Sequence, residues 1–303
     1  MKDIDCFSVD KARKWAYIYF AAENNREKSS LNRNRKDIIF EIDCIMAHVL
    51  GWDRARLYAH FDEPLALPQV HEFKKMVEKR KEGIPLAYLT GVKEFMGLEF
   101  AVDENVLIPR PETEHLVEEG IKAIDELKQE GFSKLHVMEP FTGSGAVSLA
   151  LTAHIKENQS LKIYAGDISP AALNIARKNR EKLQVSEEKV TFLEGDTFSP
   201  FPRGKNFNLI LANPPYIPSK EQGELSEEVR TEPLIALDGG EDGLDYYRKI
   251  KRDYKDYLHP EGVMLLEIGS DQCCPVRELF SEPGIRTQLI KDLAGRPRLI
   301  RIY

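Results

Sequence analysis

After residue 134 the chain alternates apolar strand-like runs with helical ones, and this alternation restricts the fold more than any other feature. "KLHVMEP", "LKIYAGD", "KVTFLEGD", "FNLILANPP" and "GVMLLEIG" read as strands. "GAVSLALTAHI", "SPAALNIARKNREKL" and "GLDYYRKIKRDYKDYL" read as the helices between them. Strands joined through helices pair side by side in the same direction, so the pattern predicts α/β architecture: a doubly wound, mostly parallel sheet. The last stretch, "IRTQLIKDLAGRPRLIRIY", predicts two further strands joined by a Gly-Arg-Pro turn.

The preceding part has a different period. Within residues 37–58, Ile38, Ile42, Ile45 and Val49 share one helical face, closed by Gly51. Val70, Phe73 and Val77 repeat the pattern before Gly83 and Pro85. Residues 86–108 alternate aromatic or branched residues with turn residues, as a β-hairpin connector would. Pro111 then suits a first helical position, and Glu112 and Glu114 fill a first turn, where negative charge is favoured. With 303 residues there is enough chain for two cores. The expected division is a small helical bundle over 1–85, a β-hairpin connector over 86–110 and the α/β domain over 111–303.

Several classes are disfavoured. No apolar run reaches the length of a membrane span. "MKDIDCFSVD" lacks the apolar core of a signal peptide. Cys6, Cys44, Cys273 and Cys274 show no metal-ligand spacing, so a reducing cytoplasm is expected and no metal. The net charge of −7 is carried beyond residue 100, which argues against a large duplex-DNA footprint. The basic stretch at 24–36 reads as a solvated loop, with contact to RNA or an acidic partner as its functional alternative.

In an open α/β sheet, ligands bind at the carboxyl ends of the strands. Four predicted strands end suitably. The first leads into Glu139-Pro140-Phe141-Thr142-Gly143-Ser144-Gly145, where two glycines let backbone approach a ligand closely. The second ends at Asp167, placed to accept from ribose hydroxyls. The third leads to Asp196, which can accept from an adenine amino group. The fourth ends at Asn213. Each is common alone, and Asp167 or Ser169 also suits a helix N-cap; their order and spacing describe a nucleoside lying across the strand ends. There is no GxxxxGK[ST] loop and no complete GxGxxG. A nucleoside without phosphates that carries a transferable group fits, and S-adenosylmethionine is such a cofactor.

"LILANPPY" (209–216) suggests the acceptor. Two prolines donate no N–H, so the chain leaves the sheet in a stiff shape. A planar –NH2 group is a poor nucleophile with two N–H donors. The Asn213 side-chain oxygen and the Pro214 carbonyl can accept both, aiming the nitrogen at a methyl group and stabilising the charge that develops. Pro215 stiffens this cradle, and Tyr216 can stack on the planar group.

Nearly the whole chain resembles the protein-(glutamine-N5) methyltransferase family that acts on peptide chain release factors. The resemblance lies in "PLAYLTGVKEFMGLEF", "LIPRPETEHLV", "GDISPAALNIARKN", "ANPPYIP", "EPLIALDGGEDGLDYYRKI", "LLEIG" and "KDLAGRPR". It implies a Rossmann-like class I methyltransferase domain, an N-terminal helical domain that docks the release factor, and methylation of the glutamine in a Gly-Gly-Gln loop. It also implies cofactor contacts from Glu139, Phe141, Thr142, Gly143, Ser144, Gly145, Asp167, Ile168, Asp196, Thr197 and Asn213. Substrate contacts would come from Arg110, Asn213, Pro214, Pro215 and Tyr216, with Asn213, Pro214 and Tyr216 catalytic. A monomer needing neither membrane nor nucleic acid is expected. The glycine loop departs from the family pattern: Phe141 stands at the first glycine position, and its ring is expected beside the cofactor. An adenine-N6 or other nucleic-acid amino-group methyltransferase is the alternative; the acidic charge and the lack of a target-recognition insert oppose it. A binding protein without catalysis is opposed by the intact Asn213-Pro214-Pro215-Tyr216. Asp238, Asp242 and Asp245 read as a turn and an acidic helix start rather than metal ligands.

Overall fold

A computed structural model describes residues 7–24, 34–155, 161–204 and 206–303. They divide into two compact units. The first reaches to Gly91 and takes in Leu225–Thr231; the second comprises Val92–Glu224 and Glu232–Tyr303.

The first unit is helical: α1 (Val9–Asn24), α2 (Arg35–Leu50), α3 (Arg54–Ala59), α4 (Leu67–Lys81) and α5 (Leu86–Thr90). Its core joins Ala12 and Ala16 of α1 to Ile38, Ile42 and Ile45 of α2 and to Phe73 and Val77 of α4. The predicted faces of α2 and α4 are thus the buried ones, although Val49 is only partly covered. Helix α1 was not expected, because its two tyrosines, Trp15 and basic residues blur the apolar period. Gly51 closes α2 as expected, capping it with φ +63°, and a further short helix starts at Asp53, whose carboxylate accepts from Arg56 N–H at 2.7 Å. Most of the basic stretch at 24–36 lies outside the described residues. Its end starts α2, where Asn34 accepts from Lys36 and Asp37 N–H.

Buried Arg80 organises this unit. It bonds Glu41 at 2.8 and 3.1 Å, the Ile84 carbonyl at 3.0 Å and Glu228 at 2.6 Å. Glu228 belongs to α9 (Glu227–Arg230), a short helix inserted from far along the chain. Removing the cation takes its charge and hydrogen bonds from two carboxylates, which costs about 3 kcal/mol, the low end for a broken buried pair because Glu228 is partly exposed. Both tryptophans, Trp15 and Trp52, lie in this unit. Arg80→Ala should therefore lower the urea midpoint read by tryptophan fluorescence; an unchanged midpoint would show that the network contributes nothing.

The second unit begins with a hairpin, β1 (Val92–Phe95) and β2 (Leu98–Ala101), whose Phe95 and Phe100 join the α/β core. Then follow α6 (Glu114–Gln129), β3 (Leu135–Glu139), α7 (Ala146–His154), β4 (Leu161–Asp167), α8 (Pro170–Lys182), β5 (Val190–Glu194), β6 (Phe207–Ala212), α10 (Asp245–Asp253), β7 (Leu258–Glu267), α11 (Cys273–Leu279), β8 (Thr287–Lys291) and β9 (Pro297–Ile302). The seven-stranded sheet has the order β5-β4-β3-β6-β7-β9-β8. Pairing is parallel from β5 to β7 and antiparallel at β9 and β8. The chain thus winds outward through β4 and β5, then returns to place β6 on the other side of β3. Leu209 and Leu211 face one apolar cluster, Ile210 and Ala212 the other, which is why residues 209–212 read as an unbroken apolar run.

Candidate functional site

The reversal of strand order between β3 and β6 opens a crevice at the strand ends. In-register pairing brings Glu139 beside Ala165, Asp167 beside Glu194 and Ala212 beside Leu266, so the polar residues that end the strands lie near one level. The crevice is lined by Glu139, Phe141, Thr142, Gly143 and Ser144 after β3, by Asp167 and Ile168 after β4, and by Asp196 and Thr197 after β5. Asn213 and Pro215 after β6 and Arg110 before α6 complete the expected residues found there.

The glycine loop is held from three sides. Glu139 is buried, and one of its carboxylate oxygens accepts from Thr142 Oγ1 at 2.9 Å, Ser148 N–H at 3.2 Å and Ser148 Oγ. Asp167 accepts from Gly143 N–H at 2.8 Å and Ser169 N–H at 2.9 Å, so it shapes the loop as well as facing the crevice. Buried Asn179 of α8 donates to the Ser144 carbonyl and pairs with both backbone groups of Ala101. Ser169 rather than Asp167 caps α8. Phe141 stands edge-on to Tyr246 with ring centroids 5.4 Å apart.

Three expected site residues are placed elsewhere. Gly145 is not in the wall: a Cβ there would lie 3.1–3.2 Å from Leu149, Ala176 and Phe192, so this glycine serves helix–sheet packing. Pro214 is buried outside the lining. The Tyr216 ring packs against the second apolar cluster instead of facing the crevice, and burial pushes its phenol up to about 12. Two other expected residues are already partnered. Arg110 forms an ion pair with Glu232, which also accepts from Ile108 N–H at 3.0 Å. Asp196 pairs with Lys249 at 3.0 Å and takes the Thr197 hydroxyl at 2.7 Å.

Asn213 is oriented. Its Nδ2 donates to Thr113 Oγ1 at 3.1 Å, and its Oδ1 has no hydrogen bond among the described residues. The following backbone is clamped by the glycine-rich segment at 236–245. Ile217 N–H bonds the Leu237 carbonyl and Gly239 N–H bonds the Ile217 carbonyl, both at 2.9 Å. Gln272 Nε2 donates to the Tyr216 carbonyl at 2.9 Å. A Cβ on Gly243 (φ +77°) would lie 2.4 Å from that carbonyl, so only glycine permits the approach. The aspartates of this segment are spent internally: Asp238 on Ser219 and Gly240 N–H, Asp242 and Asp245 on Arg248. Among the described residues no cluster suited to a metal ion occurs, and no helix is long and apolar enough to cross a membrane.

Thr113, Ser148, Asn179, Glu232, Glu267 and Gln272 were missed as site-shaping residues. Their signal was polarity at apolar positions: Ser148 inside the apolar run of α7, Asn179 in step with Ala172 and Ala176, and Glu267 closing an apolar strand.

These features define a methyltransferase. Residues 132–273 match the family described as "Methyltransferase domain", and residues 28–91 match "PrmC N-terminal domain". The release factor glutamine methyltransferase of Moorella thermoacetica is 41% identical over 261 residues, covering 84% of this chain and 89% of that protein. The Bacillus subtilis protein of the same name is 35% identical over 297 residues, covering 97% and 96%. The chain belongs to the release factor glutamine methyltransferase family. Among solved structures, the hMettl16 catalytic domain in complex with MAT2A 3'UTR hairpin 6 has a TM-score of 0.51 at 13% identity, covering 78% of this chain and 81% of that one, a likeness of fold.

Burial pushes the Glu139 carboxyl up to about 8, against its three accepted hydrogen bonds. With a folded-state pKa above the ordinary 4.5, the folded protein keeps a proton that the unfolded chain releases. The stability from this group is complete below that lower value and is lost as pH rises to about 8. Glu267, pushed up to about 7, acts in the same direction. Glu139→Gln should flatten, without abolishing, the fall of Tm between about pH 5 and about pH 8. A fall as steep as the parent's would show that Glu139 is already ionised in the fold.

Proposed function

We propose that the chain uses S-adenosylmethionine to methylate the side-chain nitrogen of the glutamine in the Gly-Gly-Gln loop of peptide chain release factors. The observation that carries this reading is the end of β6. Asn213 lines the crevice, and among the described residues neither its Oδ1 nor the carbonyl of the adjacent Pro214 accepts a hydrogen bond. They form a pair of acceptors suited to the two N–H donors of a planar amide.

The walls fit the cofactor. Gly143 leaves open space where a Cβ would stand, Ile168 offers an exposed apolar edge, and Glu139 keeps one carboxylate oxygen without a hydrogen-bond partner among the described residues. When bound, S-adenosylmethionine supplies an electrophilic methyl group, the amide nitrogen gaining it while the sulfur keeps the bonding pair. Glu139 suits the cationic amino-acid end, Asp167 the ribose, and Asp196 with Thr197 the adenine. Asn213 and Pro214 orient the amide nitrogen and stabilise the charge that grows on it. The nitrogen proton leaves to water afterwards, so no general base is required. Tyr216 and Pro215 fix the backbone of this cradle. The helical unit supplies remote contacts to the release factor, and remote binding energy is what positions a reacting group. We place the reaction in the cytoplasm, on a monomer that needs no nucleic acid.

Incubation with methyl-labelled S-adenosylmethionine and release factor, DNA or rRNA tests the reading. Label should enter the release factor glutamine alone. Asn213→Ala should abolish transfer while cofactor affinity stays within about tenfold, about 1.4 kcal/mol. Labelled adenine, or near-parental turnover by Asn213→Ala, would overturn it.

A further inference from the structure

The loop after β5 holds a backbone conformation that its side chain resists. Thr197 has φ +52°. Ser199 N–H bonds the Asp196 carbonyl at 2.9 Å, so Thr197 is the first central residue of a four-residue turn. Positive φ at that position is dominated by glycine, asparagine and aspartate, and for a β-branched residue it is an outlier. Met96 and Gln184 are the other non-glycine residues with positive φ among those described; neither is β-branched and neither lines the crevice. Both flanks of Thr197 are pinned. Gly195 N–H bonds the Asp167 carbonyl at 3.0 Å, and a Cβ on Gly195 would stand 2.9 Å from the Pro200 ring. Phe198 is buried in the second apolar cluster, its ring 5.3 Å from that of Tyr257. Strain of this kind persists only where the surroundings over-determine it, and it gathers at functional sites.

In extended chain, successive side chains point to opposite faces. The turn cancels that alternation: the Thr197 hydroxyl donates to the carboxylate of its own predecessor, Asp196, at 2.7 Å. Asp196 is half-exposed, and its other partner, Lys249 at 3.0 Å, is a partly exposed and flexible cation. Thr197 is buried, and its branching restricts χ1. The hydroxyl is therefore the rigid partner of the carboxylate. A carboxylate offers about four lone-pair sites, so Thr197 and Lys249 leave room for a further donor.

We infer that Thr197 is a positioning residue: its left-handed backbone turns the hydroxyl onto Asp196 and fixes that carboxylate to accept the adenine amino group. This role rests on the reading of Asp196 as the adenine acceptor and adds what aims it.

Calorimetry on the full chain tests it with S-adenosylhomocysteine, which carries the adenine without a transferable methyl group, and with an analogue whose adenine amino group is replaced by hydrogen. Thr197→Ala and Thr197→Gly both remove the hydroxyl and should weaken S-adenosylhomocysteine about 3- to 10-fold, the range of one net hydrogen bond. Thr197→Ser keeps the hydroxyl and should stay within about twofold of the parent. For the analogue, the parent and all these variants should agree within about twofold, because no amino group remains to be received. Thermal melting reads the strain apart from binding. Glycine ordinarily destabilises relative to alanine, and the order reverses at a left-handed position. Thr197→Gly should therefore melt above Thr197→Ala while binding no better. Parental affinity in Thr197→Ala, a Thr197→Ser variant as weak as Thr197→Ala, or an equal loss for the analogue would overturn the positioning role. Thr197→Ala melting above Thr197→Gly would overturn the strained backbone on which that role depends. A parent that binds the analogue as tightly as S-adenosylhomocysteine would overturn the adenine role of Asp196, and one that binds neither would overturn the proposed cofactor.

Discussion

Strand β6 must pair in parallel with β3 on one side and β7 on the other, and the site depends on that double pairing. Val137 and Met138 lie beside Leu209 and Ile210, and Leu211 and Ala212 beside Leu265 and Leu266. Covered on both faces, the strand is apolar from Leu209 to Ala212, where it emerges. Asn213 is the first residue past the last pair, so its height above the sheet is fixed by the ladder. The two prolines then prevent the ladder from running on. Since the chain reaches β6 only after leaving β3 in the opposite direction, the loops after these strands diverge and leave the crevice between them.

The cost of this arrangement is a set of polar groups inside an apolar interior. The molecule satisfies most of them with side chains that never reach the crevice. Ser148 holds Glu139, Asn179 ties the glycine loop to the hairpin, and Glu232 takes both Ile108 N–H and Arg110. Phe141 at the first glycine position of the loop is accommodated because its ring turns edge-on to Tyr246 instead of filling the space over Gly143. The clamp of residues 236–245 on residues 216–219 does for the Asn213 loop what Asn179 does for the glycine loop: it removes backbone freedom without adding a group to the wall.

The sheet, its direction and the strand ends were legible because period and strand-closing residues are local properties. Glu139, Asp167, Asp196 and Asn213 all end or follow strands as their positions foretold. Gly145 and Tyr216 were read by the company they keep in a motif, and the motif hides that one packs a helix and the other the core. The "ALDGGEDGLD" segment was opaque because its glycines answer to backbone 20 to 30 residues away, which no local pattern encodes. Arg80 and Glu228 are separated by 148 positions, and their pairing depends on an excursion of the chain that composition does not mark. Helix α1 was missed for a local reason, its apolar face being built from alanines and aromatic residues.

The central claim is that the Asn213 oxygen and the Pro214 carbonyl receive the two N–H groups of a substrate amide. The most direct measurement is a crystal structure of the protein with S-adenosylhomocysteine and a peptide containing Gly-Gly-Gln. The account predicts the glutamine nitrogen about 3 Å from both acceptors, with Asn213 Nδ2 still on Thr113. A glutamine nitrogen held by other groups, or an Asn213 turned to present Nδ2 to the peptide, would contradict it.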